Sequence, residues 1–147
     1  MKSPIIVAYS EQYAPHIRRI RKAVFTFEQG IDEHLDLDGK DPEAIHVLVG
    51  SETKFVGTGR LLVDGHIGRL AVLKAYRGNA YGADALKALM QEARRIGINR
   101  VFLGAQAQAL GFYLRLGFTE YDEPFLDAGI KHMHMEKTLN RKLSKKV

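Results

Sequence analysis

The chain has 147 residues, of which 46% are hydrophobic and 27% charged, and this size and composition fit one globular domain rather than a disordered polyelectrolyte. No apolar run is long enough for a membrane helix or a secretory signal, and the absence of cysteine excludes disulfides, thiolate catalysis and thiolate zinc sites, so we expect a cytoplasmic protein. The formal net charge of +5 falls to +1 without the four basic residues of 141–147.

We predict a single domain over residues 1–138 and a basic tail over residues 139–147. Such a tail is usually a solvated terminus, although it can contact an anion. Nucleic-acid binding through the tail is a disfavoured alternative, because the body of the chain is nearly neutral and no nucleic-acid-binding module is recognisable in it.

The first half of the chain predicts a strand, a helix and three further strands. Ile5–Tyr9 is rich in β-branched residues and predicts the first strand. The hydroxyl of Ser10 can cap a helix whose apolar stripe is Tyr13, Ile17, Ile20 and Val24. The acidic stretch from Asp32 to Asp41 predicts a loop or short helix. Strands follow over residues 46–50, 54–63 and 66–73, with Asp64-Gly65 as the tight turn before the last.

The second half predicts a strand-helix-strand unit and two closing strands. The helix covers residues 82–96 and ends at Gly97. A strand over 100–105 and a short helix over 107–116 come next, and strands 119–121 and 131–137 enclose a loop with Pro124 and Gly129. This order predicts an α/β (α+β) fold with a mixed, mostly antiparallel sheet flanked by helices. It excludes a doubly wound nucleotide-binding fold.

The segment from Leu70 to Ala83 has the form of an anion-binding site. A strand ends there, a turn with Gly78 follows, and an amphipathic helix begins. The first turn of a helix leaves backbone N–H groups unpaired and carries partial positive charge, so it can bind a phosphate. Arg77 adds a full charge, and glycines at 78 and 82 let a pyrophosphate approach the backbone. The alternative is an ordinary strand-to-helix turn.

A second segment gives the first one a more specific meaning. The pattern Ala-x-x-Phe-Tyr-x-x-x-Gly-Phe is completed by Ala109, Phe112, Tyr113, Gly117 and Phe118. Together with Arg77–Gly82, it resembles the two signatures of the GNAT family of acetyl-CoA-dependent N-acetyltransferases. The resemblance covers nearly the whole chain. The chain departs from the family at Ala80, where the coenzyme motif usually has a glycine.

Further residues are similar to the YjcF/ElaA-type branch of small bacterial members of this family. They are Arg21, Val24-Phe25, Glu28-Gln29, the acidic stretch through Asp38, Gly57–Leu61, Ala105-Gln106 and Phe125–Ile130. Substrates in this branch are mostly unassigned, so the likeness names a subgroup and no acceptor.

The resemblance implies the GNAT acyl-CoA N-acyltransferase fold, with a splayed pair of parallel strands, and direct acetyl transfer to a primary amine in a ternary complex. Acetyl-CoA would be the co-substrate, no metal would be needed, and a homodimer is expected from family habit. The backbone at Leu70 and Val72 would pair with the acetyl carbonyl and the pantetheine amide. The residues implied in coenzyme binding are Leu70, Ala71, Val72, Arg77, Gly78, Asn79, Ala80, Tyr81, Gly82, Ala83, Gln106 and Tyr113.

Two residues are predicted to take part in catalysis. Tyr113 is the general acid, which would protonate the CoA thiolate as it leaves; the alternative is that Tyr113 only packs or hydrogen-bonds the sulfur. Glu28 is the general base by resemblance, with the alternative of a surface carboxylate or one paired with Arg21 or Arg60. Gln106 would bond the pantetheine arm or supply ordinary loop polarity.

Two polar clusters have no assigned role. His132 and His134 face the same way on a predicted strand, but no third ligand is recognisable. We therefore expect no metal site, and one of the two can belong to the acceptor pocket. Carboxylates between Asp32 and Asp41 would favour a cationic amine if they flank the entrance, or form a solvated loop, so no substrate is predicted from them.

An alternative function is a non-catalytic CoA sensor or scaffold with the same fold. The alanine at position 80 keeps this alternative open, whereas the intact Tyr113 speaks against it.

Overall fold

The computed structural model describes residues 2–139. Its strands are β1 (Lys2–Val7), β2 (Ile45–Gly50), β3 (Phe55–Leu61), β4 (Ile67–Val72), β5 (Arg100–Gln106), β6 (Thr119–Glu120), β7 (Phe125–Asp127) and β8 (Ile130–Thr138). The α-helices are α1 (Ala14–Arg21), α2 (Glu33–Asp36), α3 (Tyr81–Arg95) and α4 (Leu110–Arg115). A π-helical segment (Lys22–Glu28) continues α1, and 3₁₀ turns cover Asp41–Glu43, Lys74–Tyr76 and Ala107–Ala109. Residues 140–147 of the predicted basic tail lie outside the described residues.

The first sheet is antiparallel, in the order β1-β2-β3-β4, and it lies between two helices. One face is covered by α3 through Leu86, Leu89 and Ala93, which belong to the apolar stripe predicted for that helix. The other face is covered by Ile17 and Ile20 of α1. Because both faces are covered, strands β2 and β3 are buried almost throughout. None of the helices within residues 2–139 is long and apolar enough to cross a bilayer.

Helix α1 begins later than the sequence predicts. The predicted hydroxyl cap by Ser10 is wrong, because the helix begins at Ala14 without a side-chain cap. The backbone carbonyl of Ser10 instead accepts hydrogen bonds from the N–H groups of Tyr13 and Ala14, at 3.1 and 2.7 Å. Pro15 then fits the first turn, where its missing N–H would have no partner.

The π-helical segment extends α1 by two wide turns toward the second sheet. The N–H of Gln29 donates to the carbonyl of Val24 at 3.0 Å, a step of five residues instead of four. Such wide turns are rare and are frequently found at functional sites. Here they end the helix at Glu28 and Gln29, two residues that enter the site described below.

The second sheet is built around β8, which pairs antiparallel with β5, β6 and β7. The sequence predicts a loop around Pro124 and Gly129, but part of this segment forms β7, which pairs with β8 in a hairpin. Its two-residue turn has φ of 53° at Ala128 and 76° at Gly129. Positive φ at both turn positions matches the twist of hairpin strands, although only one of the two residues is a glycine.

The two sheets meet at β4 and β5, which are the predicted parallel pair. A single parallel bridge joins His66 to Phe102, and the N–H of Phe102 donates to the carbonyl of Gly65 at 3.1 Å. Beyond this bridge, toward Val72 and Gln106, no further bridge pairs the two strands within residues 2–139. The strands therefore diverge, and the fold predicted from the resemblance is confirmed by the comparisons given below.

Candidate functional site

A cleft of about 1060 Å³ opens between β4 and β5 and extends to the start of α3, to α4 and to the β7–β8 hairpin. Most residues predicted to bind the coenzyme line this cleft. They are Leu70, Ala71, Val72, Arg77, Gly78, Ala80, Tyr81, Gly82, Ala83, Gln106 and Tyr113. Two predicted site residues, Asn79 and Glu28, stand outside the lining.

A β-bulge interrupts β4 where the resemblance expects the acetyl group. Thr58 pairs with Ala71 and Arg60 pairs with Gly68, so that Arg69 and Leu70 together face one residue of β3. Arg69 has φ of 52°, the left-handed conformation found in one type of bulge. The extra residue leaves the ladder locally unpaired. Backbone groups of β4 are therefore available to the cleft at this point.

The turn between β4 and α3 ends in an open helix N-terminus. Ala80 is the N-cap of α3, and no side chain caps the helix. The first helical hydrogen bond joins the N–H of Asp84 to the carbonyl of Ala80 at 2.9 Å. The N–H groups of residues 81–83 precede this bond and have no partner within the helix. Such a helix start can bind an anion.

Ala80 and Asn79 shape this turn. Ala80 has φ of 67°, a left-handed conformation that costs an L-residue about 1–2 kcal/mol and glycine almost nothing. This explains why a glycine is usual at that position in the family. The Nδ2 of Asn79 donates to the carbonyls of Tyr76 and Arg77, at 3.1 and 3.4 Å. Asn79 therefore closes the turn from outside the cleft.

Arg77 and Glu28 form a bidentate ion pair between the coenzyme turn and the π-helical segment. The two terminal guanidinium nitrogens, Nη1 and Nη2, each donate to the Glu28 carboxylate at 2.6 Å, and Nε donates to the carbonyl of Val72 at 3.0 Å. The hydrogen bonds from Arg77 lower the pKa of Glu28, and burial offsets only part of this. Glu28 thus has an arginine partner, as the alternative prediction had it, but the partner is Arg77. Its role as a base stays a prediction.

Tyr113 lies on the wall of the cleft and is 9% exposed. Its ring packs edge-to-face on Phe112 and Phe118, at centroid distances of 5.0 and 5.8 Å. Burial raises the pKa of Tyr113 to about 12, because the low-dielectric surroundings disfavour the phenolate. The phenol therefore keeps its proton at neutral pH, which a general acid requires.

Gln106 belongs to a chain of three amide side chains. Its Nε2 donates to Oε1 of Gln29 at 3.0 Å, and Nε2 of Gln108 donates to its Oε1 at 2.6 Å. Gln29 has no predicted role, although the Glu28-Gln29 pair belongs to the subgroup pattern. The π-helical segment is what places Gln29 on the cleft.

Three carboxylates of the acidic stretch form a largely buried network with three arginines. Arg21 contacts Asp36 and Asp41 at 3.1 and 2.7 Å. Arg60 contacts Asp38 and Asp41 at 2.8 and 3.1 Å, and Arg69 contacts Asp36 and Asp38 at 2.9 and 3.2 Å.

This network corrects part of each interpretation of the acidic stretch. Burial would raise the pKa of Asp41, but hydrogen bonds and charges of Arg21 and Arg60 outweigh it and hold the pKa below its usual range. Three carboxylates are matched by three guanidinium groups and are not free to attract a cationic amine. The solvated-loop interpretation holds for Asp32, Glu33 and Asp38, which are exposed, but not for Asp36 and Asp41, which are buried.

The acceptor face of the cleft, which we define as the side lined by alternate residues of β5, carries aromatic and imidazole rings. Val101, Leu103 and Ala105 are buried, while residues 102, 104 and 106 point the other way, into the cleft. The ring of Phe125 lies over Gly104, where a Cβ would come within 2.7 Å of its Cζ.

Three histidines and their aromatic neighbours complete this face. His66 stacks on Phe102 at 5.0 Å, and His134 stacks on Phe125 at 4.1 Å. His132 also lines the cleft. No role was predictable for His66 or Phe102, because an isolated ring residue on a strand carries no functional signal. Within residues 2–139 no group of three or more acidic or histidine side chains is arranged to hold a metal ion.

Comparison with known proteins places this site in a family. Residues 9–139 match the family model described as the acetyltransferase (GNAT) domain. The chain is 35% identical to the N-acetyltransferase YjcF of Bacillus subtilis, over 90% of this chain and 97% of YjcF. It is 30% identical to Protein ElaA of Escherichia coli, over 88% of each chain.

Solved structures agree with this result. The crystal structure of Escherichia coli ElaA has a TM-score of 0.82 and 26% identity, covering 92% of this chain and 99% of that one. An acyl-CoA N-acyltransferase from Pseudomonas aeruginosa has a TM-score of 0.82 and 25% identity with the same coverage. The chain therefore belongs to the GNAT family of acetyltransferases.

Proposed function

We propose that this protein transfers an acetyl group directly from acetyl-CoA to a primary amine, with both substrates bound at once. The observation that carries the proposal is the continuity of one cleft. It joins the open N-terminus of α3, the bulge of β4, the phenol of Tyr113 and the acceptor face. The chain has no cysteine that could carry an acyl-enzyme intermediate.

The coenzyme would lie along the β4 side of the cleft. Its pyrophosphate would accept hydrogen bonds from the amides between Arg77 and Ala83, and Arg77 would turn from Glu28 toward it. The pantetheine arm would run between the diverging strands β4 and β5, within reach of Gln106. These contacts would put the thioester beside the bulge at Leu70.

The reaction then needs three contributions from the chain. The amine nitrogen attacks the thioester carbon, a C–N bond forms and the C–S bond breaks. A backbone N–H freed by the bulge would stabilise the oxyanion that develops on the carbonyl oxygen. Tyr113 would donate its phenolic proton to the departing thiolate, whose own basicity rises in a dry cleft. The surplus proton of the amine passes to a general base.

The proposal is tested with acetyl-CoA and a panel of primary amines. Calorimetry measures the Kd for acetyl-CoA, and release of free CoA thiol measures turnover. For Tyr113→Phe we expect kcat to fall by ~100–10,000-fold, the usual contribution of general acid catalysis, with an unchanged Kd. Tyr13→Phe is the matched control, because Tyr13 packs beside α1 and does not line the cleft.

Two results would contradict the proposal. Binding of acetyl-CoA without transfer to any amine would favour the sensor function instead. If Tyr113→Phe has the same kcat as the unmodified protein, Tyr113 is not the general acid, although the transferase function still stands. The predicted homodimer is a separate expectation, which sedimentation velocity tests.

A further inference from the structure

We propose that His132 is the general base that takes the proton from the acceptor amine. This inference rests on the proposed transferase function. His132 lies in the middle of a row across three strands, since it pairs directly with Gln106 of β5 and with Phe125 of β7. Directly opposed residues of antiparallel strands share one face of a sheet. All three residues line the cleft, so the shared face is the acceptor face.

The hydrogen bond of the His132 ring fixes which nitrogen can act. Its Nδ1 lies 2.7 Å from the backbone carbonyl oxygen of Ile130. A carbonyl oxygen can only accept, so Nδ1 carries the hydrogen in the neutral ring. Nε2 then holds the lone pair and can accept a proton. After that transfer the same carbonyl stabilises the imidazolium, because hydrogen bonds from charged donors are stronger.

The other candidate bases are less well placed. Glu28 does not line the cleft, and its carboxylate lies on the coenzyme side, where it accepts hydrogen bonds from Arg77. The ring of His134 packs between Phe125, at 4.1 Å, and Tyr121, at 5.3 Å. The ring of His132 also stacks on Phe125, at a longer centroid distance of 5.4 Å, and its hydrogen bond to Ile130 orients it. His66 is stacked against Phe102 in nearly parallel planes.

Several titratable and charged groups line the cleft around His132. On its own strand His134 lines the same face, and Asp127 of β7 lies at the rim. The cleft is also lined by Tyr121, which follows β6, and by Tyr113 and Arg115 of α4. The β4 side adds His66 and Arg69, and Arg69 is paired with Asp36 of α2. Neighbouring β5 adds no titratable group, since it presents Gly104 and Gln106 there.

The test is the pH dependence of kcat/KM with an amine that the unmodified protein acetylates. Because a general base acts only in its unprotonated form, kcat/KM of the unmodified protein should rise with pH until that group is deprotonated. His132→Gln should lower kcat/KM by ~100–10,000-fold and flatten that rise, with Kd for acetyl-CoA unchanged. Added imidazole should restore part of the activity of His132→Ala.

The matched control is Lys131→Gln. Lys131 is the preceding residue on β8, is exposed, and points to the opposite face. It should keep both the rate and the pH profile. His134→Gln and Glu28→Gln are compared in the same assay, because loss of the pH-dependent rise in either one, with His132→Gln unaffected, would assign the base to that residue instead.

Failure of the transferase function and failure of the base assignment give different results. If the unmodified protein binds acetyl-CoA but acetylates no amine, both the transferase function and its base are overturned. If it acetylates amines and His132→Gln keeps the rate and the rise with pH, only the base assignment is overturned. The ¹⁵N chemical shifts of the histidine rings in the unmodified protein give a test that needs no variant. A neutral His132 with its hydrogen on Nε2 would also contradict the inference.

Discussion

The two ends of the cleft are built in different ways. The coenzyme end comes from one continuous stretch, Leu70–Ala83, and depends mainly on backbone groups: a bulge, a left-handed turn and an open helix start. The acceptor end depends on side chains from β5, β7, β8, α2 and the π-helical segment. A backbone site can be retained while side chains vary, whereas a side-chain site changes with every substitution.

The ion pairs at the two ends also differ, since those at the coenzyme end are exposed and those at the acceptor end are buried. At the coenzyme end, Arg77 and Glu28 are 41% and 31% exposed at the side chain, and their ion pair can open when a phosphate arrives. At the acceptor end, Arg21 is fully buried and holds Asp36 and Asp41. Exposed ion pairs contribute little to stability, but breaking a buried one is costly. We therefore expect substitutions of the buried arginine to affect folding and substitutions of the exposed pair to affect binding.

The largest expected effect is that of Arg21→Met on stability. This change keeps a side chain of similar length but leaves two buried carboxylates short of a partner. We expect the free energy of unfolding to fall by about 3–5 kcal/mol, measured by urea denaturation. The control is Lys22→Met at the next position, where the ion pair with Glu33 spans 4.0 Å and both side chains are about half exposed. That change should cost less than about 1 kcal/mol.

We also expect Arg21→Met to leave coenzyme binding unchanged. Under conditions where Arg21→Met stays folded, its Kd for acetyl-CoA should match that of the unmodified protein, because the network supports α2 and the acceptor end. A large loss of coenzyme affinity would show that the two ends are not separable. An unfolding free energy equal to that of Lys22→Met would show that the remaining arginines suffice.

The same division explains what could be predicted from the sequence. The coenzyme turn and the apolar stripe of α3 were predictable, because spacing along the chain specifies a local backbone form. The network was not, since Asp36 is 15 residues from Arg21 and 33 from Arg69 and only the folded chain brings them together. The π-helical segment was missed because its first residues continue the periodicity of α1. The β7 strand was missed because Pro124 and Gly129 indicate a loop.

At the coenzyme end we expect Ala80→Gly to stabilise the protein. Glycine adopts the left-handed conformation at φ of 67° without the Cβ clash, and it loses more freedom on folding than alanine does. The balance should be a gain of about 1 kcal/mol in the free energy of unfolding. Ala88→Gly, in the middle of α3, is the control and should cost about 1 kcal/mol. Loss of stability at both positions would mean that residue 80 is not left-handed in solution.

The smallest expected effect is that of Glu28→Gln on coenzyme affinity. Arg77 must leave its partner to reach the pyrophosphate, so the ion pair competes with acetyl-CoA for the same guanidinium. An exposed pair contributes about 0.2–1 kcal/mol, and its removal should lower the Kd for acetyl-CoA by up to about fivefold. Glu92→Gln removes a similar bidentate pair, with Arg95 on α3, and should leave Kd unchanged. If Glu28→Gln also leaves Kd unchanged, Arg77 does not contact the pyrophosphate when the coenzyme binds, and the backbone amides alone hold it.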